Sequence, residues 1–182
     1  MFLSLRNRAS KFTTGFRSNT NGSLAIEFAA VTLPFLMLLF GILVAGLYYF
    51  TTFSLENAVE QAARQIRTGQ AQLANKTKAQ FKLDVCNKAP SFVDCTNYLR
   101  VNVVEFSDFA SVAPPSCLDG GGNLIPDPAD DPVPGAAGEV VLIIVCYEWK
   151  LANILPFLKV GDMSNGSAMI QAATTFRTEP FS

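Results

Sequence analysis

Along the chain the apolar positions fall into three patterns: one unbroken run, one helical stripe, and short segments of strand character near the end. From Phe28 to Phe50 there are 23 residues without a charge, FAAVTLPFLMLLFGILVAGLYYF. As an α-helix at 1.5 Å per residue this spans roughly 34 Å, enough to cross a hydrocarbon core of about 30 Å. Such a length is a poor match for the buried helix of a soluble protein. Tyr48 and Tyr49 close the run, where amphipathic rings favour the water interface. Beyond it, Leu55, Val59, Ala62 and Ile66 lie on one helical face, and no proline occurs between Thr51 and about Ala79. One helix is therefore predicted to continue past the span. Glu56, Glu60, Arg64 and Arg67 sit largely off that stripe, with Glu60 and Arg64 spaced for an i,i+4 pair.

Arg100–Phe106 (RVNVVEF) reads as a short strand and Glu139–Trp149 (EVVLIIVCYEW) as a stronger, central one covered on at least one face. Gly166–Thr178 reads as a closing strand, its first half equally compatible with helix, and residues 153–158 with Pro156 as a helical turn or loop. The fold class expected is α+β, a long N-terminal helix packed on a small antiparallel sheet of three or four strands. Residues 113–138, APPSCLDGGGNLIPDPADDPVPGAAG, form a Pro- and Gly-rich loop, expected to be exposed and either functional or mobile. Its GGG is no phosphate cradle, because no Gly-Lys-Ser/Thr follows. Asp119, Asp127, Asp130 and Asp131 fit no EF-hand spacing and read as solvated acids.

Charge gives the membrane segment a direction. Residues 1–22 hold Arg6, Arg8, Lys11 and Arg17 and no acid, a cluster retained on the cytoplasmic side. Everything after the span is then expected outside the cytoplasm. The apolar run is too long for a secretory h-region and ends in a poor cleavage site, which favours a retained anchor. Four cysteines suit an oxidising compartment. Of their three possible connectivities, sequence proximity favours Cys86–Cys95 and Cys117–Cys146. No Cys-x-x-Cys motif is present, so redox catalysis and zinc binding fit poorly. The chain has no histidine and a net charge of −1. The commonest general base and metal ligand are missing, and nothing attracts nucleic acid. No catalytic residue, metal site or cofactor is expected.

The junction before the span reads Asn21-Gly22-Ser23-Leu24-Ala25-Ile26-Glu27-Phe28. A carboxylate at the lip of an uncharged span is costly toward the bilayer centre, about 2.5–3.5 kcal/mol, and usually has a partner. In a first helical turn it would also face the positive end of the helix dipole. Taken alone, Glu27 reads as a capping acid at the membrane surface, with Ser23 or Asn21 as N-cap. Pro34 removes a backbone donor and releases the Ala30 carbonyl, a place for a kink or local unwinding that membrane helices tolerate. Gly41 and Ala45 form a small-xxx-small pair.

Taken together, the basic leader ending in glycine, four further residues, glutamate and an apolar helix resemble the prepilin processing site of type IV pilins and pseudopilins. Glu27-Phe28-Ala29, Pro34, the Ala-rich stretch NAVEQAARQIRTGQ (residues 57–70) and the ending Phe176-Arg177-Thr178-Glu179-Pro180-Phe181 are similar to the TadE-like pseudopilins of tight-adherence (Flp) pilus systems. That resemblance implies cleavage between Gly22 and Ser23 by an inner-membrane prepilin peptidase. It also implies a helix-on-sheet pilin architecture, and pairing of Glu27 with the α-amine of a neighbouring subunit. The layout expected is a leader over residues 1–22, the transmembrane part of the helix over 23–53, and an outer domain over 54–182. The function implied is that of a minor pilin, whose partners are the peptidase, other pilins or pseudopilins and the inner membrane. The competing reading is a periplasmic adhesion or binding module on an uncleaved anchor. A periplasmic enzyme has no recognisable nucleophile arrangement here.

Overall fold

A computed structural model of the chain describes residues 22–154 and 161–181. The basic leader, Asn21, and Pro156 in the turn expected over 153–158 lie outside them. The described residues form two compact units divided between Gly46 and Leu47. The first contains only helix. The second holds the remaining helices and the sheet, which makes the fold α+β as expected.

Helix α1 runs over Ser23–Arg67 and continues through Pro34. Within the second unit its stripe is buried to the last atom or nearly so: Leu55, Val59, Ala62 and Ile66 are joined by Ala58 and Ala63. Glu60 does not form the ion pair expected with Arg64. Its carboxylate accepts a hydrogen bond from the Thr174 hydroxyl at 2.5 Å.

The helix ends earlier than the pattern predicts. Gly69 takes φ +75, the left-handed conformation that terminates helices and that glycine adopts at least cost. The chain restarts in two further helices, α2 (Gln70–Leu73) and α3 (Lys78–Cys86). Helix α3 opens on a capping box: the Thr77 side chain accepts from the Gln80 amide while the Gln80 side chain accepts from the Thr77 amide. That Thr-x-x-Gln spacing is a sequence-level start signal. A fourth short helix, α4 (Cys95–Tyr98), leads into the sheet.

Three strands form one antiparallel sheet in the order β1 (Leu99–Phe106), β2 (Val140–Trp149), β3 (Ala168–Arg177). The first half of the third segment is therefore strand and not helix. Pairing runs Leu99↔Tyr147 to Phe106↔Val140 and Val140↔Arg177 to Trp149↔Ala168. Every residue of β2 is buried, so both faces of the central strand are covered. On one face Trp149 meets Tyr48 of α1 edge-to-face at 5.5 Å, and alternation along the strand places Tyr147, Val145, Ile143 and Val141 on the same side. On the other, Leu142, Ile144 and Cys146 pack with Cys117, flanked by Phe106, Val112, Leu124 and Met169.

That second cover is the Pro- and Gly-rich loop. It is exposed along much of its length, but it is fastened at several points. Cys117 is bonded to Cys146 of β2, and the Val133 amide donates to the Lys76 carbonyl while the Lys78 amide donates to the Asp131 carbonyl. The Gly135 amide donates to the Glu105 carboxylate at 3.0 Å, and the Gly135 carbonyl accepts from the Gln72 amide group at 2.9 Å.

Candidate functional site

Gly22 is exposed and immediately precedes the helix, of which Ser23 is the first residue. A Cβ built on Gly22 meets nothing within 4 Å among the described residues, and its φ is not in the left-handed region. Nothing in the described fold therefore requires glycine there. Glu27 is exposed on α1. Because the helix starts at Ser23, Glu27 lies past the first turn, which contains no acid. Glu27 is thus set back from the N-terminal end of the helix, where a carboxylate gains most from the dipole.

From Leu24 through Leu43 the large apolar side chains stand exposed. The helix is long and apolar enough to cross a membrane, and its most apolar window, mean hydropathy 2.5, is not buried at all. Burying such a side chain gains roughly 1.5–3 kcal/mol, so a contiguous surface of this size has a large driving force to associate with lipid or protein. The surface calls for lipid or protein around it. Pro34 lies inside this segment without breaking the helix. Gly41 and Gly46 have open space where a Cβ would stand.

The candidate cysteines pair as Cys86–Cys95 and Cys117–Cys146, with Cα–Cα distances of 5.8 and 5.9 Å. The four loop acids are exposed as expected, and three of them, Asp119, Asp127 and Asp130, also accept local hydrogen bonds. The Asp119 carboxylate accepts from the amides of Gly121 and Asn123, each at 2.8 Å. Those bonds, the Asn123 amide first, hold its pKa below the ordinary carboxylate value and turn the loop's amides inward, away from any anion. Asp127 pairs with Lys82 at 2.7 Å and accepts from the Val101 amide. Asp130 accepts from the Ala79 amide at 3.0 Å. Among the described residues no group of three or more acids, cysteines or histidines converges as a metal site.

The final stretch has a structural task. The Glu179 amide donates to the Arg67 carbonyl at the end of α1 (2.8 Å), and the Thr178 amide donates to the Glu139 carbonyl. The Arg67 guanidinium lies 5.8 Å from the Phe176 ring centroid. The Phe181 ring covers Gly69 so closely that a Cβ there would fall 2.2 Å from it. These residues, Phe176 to Phe181, form a strap over the end of the helix.

A cluster of rings gathers around Tyr48 and Tyr49 and includes two that the sequence pattern does not bring there, Phe92 and Trp149. Tyr48 contacts Tyr49 and Trp149, Tyr49 stacks on Phe53, and the Phe50 and Phe92 centroids are 5.8 Å apart. A lone tryptophan closing the strongest strand was the available signal.

Among proteins of known family, residues 22–64 match the family described as TadE-like protein. The match starts at the glycine before α1 and ends three residues short of the end of that helix. No curated protein and no solved structure matches the chain. Over its residues 22–64, from Gly22 through the exposed apolar helix to the start of its last turn, the chain is similar to the TadE-like family.

Proposed function

We propose that this protein is a structural subunit, a minor pilin of a tight-adherence (Flp) type IV pilus, and that it is processed between Gly22 and Ser23. The observation that carries the reading is the coincidence of three boundaries. The family match opens at Gly22, the helix opens at Ser23, and the described fold places no demand of its own on the glycine. A residue that its own fold does not require is well suited to recognition by another molecule, here a prepilin peptidase whose narrow site admits the backbone.

In this reading residues 1–22 are a cytoplasmic leader, 23–53 span the inner membrane, and 54–182 form the periplasmic domain. Assembly proceeds through the apolar face of α1, with Pro34 within it. Glu27 contributes a carboxylate that pairs with the new α-amine of a neighbouring subunit, which lowers the cost of a charge near hydrocarbon. The activity is architectural and uses no cofactor.

The test is the N-terminal residue and intact mass of the protein recovered from native membranes. A chain beginning at Ser23 is expected. One beginning at Met1 would refute processing and leave a domain on an uncleaved anchor.

A further inference from the structure

We propose that the outer domain is seated on the bilayer as well as tethered to it, through a recess that accepts a lipid acyl chain and is flanked by Phe92. The inference rests on the reading of α1 as a membrane span. The recess holds about 570 Å³, and its apolar wall is made by Leu47, Phe50, Phe92, Tyr147, Trp149 and Leu151. Two of these fix its depth. Leu47 and Phe50 end the strongly apolar stretch, ahead of Thr51 and Thr52, which puts a cavity they wall near the boundary between hydrocarbon and headgroups. Whatever lies at that height faces lipid.

Phe92 belongs to the domain and not to the span, and it is 52% exposed, as Leu151 is 43% exposed. It sits on the loop closed by the Cys86–Cys95 disulfide. The neighbouring Val93 is buried and its amide donates to the Pro90 carbonyl, so the loop is held at its base while Phe92 projects. Its ring lies 5.8 Å from that of Phe50, which brings it to the same depth. That contact covers only one side of the Phe92 ring, and aromatic side chains at an interface bury the remaining apolar area in lipid while keeping their edges near water. The lining also carries the polar residues Thr51, Asp94, Glu148 and Lys150, and the Lys150 ammonium stands 3.7 Å from the Tyr98 ring centroid.

The occupant follows from continuity and size. The recess shares its wall with the span itself, so the medium around the span reaches it. A volume of this size takes an extended hydrocarbon chain, but little more than about one turn of a helix 10–12 Å across.

The experiment uses the full chain in phosphatidylcholine vesicles with and without bromine on the acyl chains, a contact quencher of indole. The chain has one tryptophan, Trp149, and it lies in the recess wall, so the unmodified protein gives the first reading. Two variants in a Trp149→Phe background move the probe, Phe92→Trp to the projecting loop and Leu39→Trp to the middle of the span. The expected result is loss of emission in brominated vesicles for all three proteins, with blue-shifted emission from the Phe92→Trp chain. If the Leu39→Trp chain is quenched while the native and Phe92→Trp chains keep full emission, the seat is refuted and the anchor stands. If the Leu39→Trp chain also keeps full emission, the anchoring reading fails and takes this one with it.

Discussion

Gly22 and Gly69 are the same residue under different demands. At Gly69 the fold itself requires glycine: φ is +75 and the Phe181 ring occupies the place of a side chain. Gly69→Val is expected to lower stability by roughly 1–3 kcal/mol in denaturant titration of the detergent-solubilised chain. At Gly22 there is open space, and Gly22→Val is expected to leave that titration unchanged while the leader stays attached by intact mass. Normal maturation of this variant would sink the processing site. Glu27→Ala belongs with it. Maturation should proceed, while recovery of other pilus subunits by pulldown falls; an undiminished yield would remove the proposed amine pairing. Acidity acts through single residues too. Asp94, Asp108 and Asp119 are held below the ordinary carboxylate value, chiefly by hydrogen bonds from Asn97, Ser111 and Asn123 respectively. A depressed folded-state pKa gives stability that is present above the unfolded value, near 3.9, and is lost as the pH falls through the folded value. The unfolding midpoint should therefore drop as the pH is lowered from about 5 to about 3. A flat profile would show that these bonds do not contribute to stability.

Among the elements, the sequence is most informative where burial follows a short period. The stripe Leu55, Val59, Ala62 and Ile66 is buried as its spacing implies, and the continuous apolar run of β2 corresponds to a strand covered on both faces. The end of α1 was not legible for a different reason. A single glycine in an Ala- and Gln-rich stretch costs a helix only about 1 kcal/mol, so local pattern carries on through Gly69. What decides the matter is Phe181 and the Glu179 amide, which come from the far end of the chain. The loop over residues 113–138 was read as exposed because its anchors are sparse. Cys117, Val133 and Gly135 are buried among many exposed neighbours, and no periodic window detects three pegs. A start signal for helix α3 stands in the sequence at Thr77 and Gln80, but the expectation of one helix continuing to about Ala79 passed over it. The candidate site shows the same division. Residues 22–27 declare themselves by order and charge, whereas the ring cluster of Phe50, Phe92 and Trp149 comes together only through folding.

For the whole molecule, the two disulfides divide their work. Cys117–Cys146 closes a separation of 29 residues and Cys86–Cys95 one of 9. In the chain-entropy picture these contribute about 3.6 and about 2.6 kcal/mol. The first also holds the cover over Leu142 and Ile144. The double change Cys117→Ser, Cys146→Ser is therefore expected to cost more stability than its counterpart at Cys86 and Cys95, and to raise binding of a dye for exposed apolar surface. Equal losses with no added dye binding would show that the loop stays in place without its bond.

The contact between Glu60 and Thr174 joins residues 114 apart in sequence, and it has a consequence in time. The stripe on α1 is made well before the strand that meets Glu60, which follows 114 residues later. Closing so long a loop before any contact rewards it slows folding, so this domain should fold at the slow end for its size. Until the sheet is made, the bare stripe is a direct extension of the apolar run before it. In that interval the nascent chain is expected to lie along the membrane surface, which would hold the two halves of the future core near each other until they join.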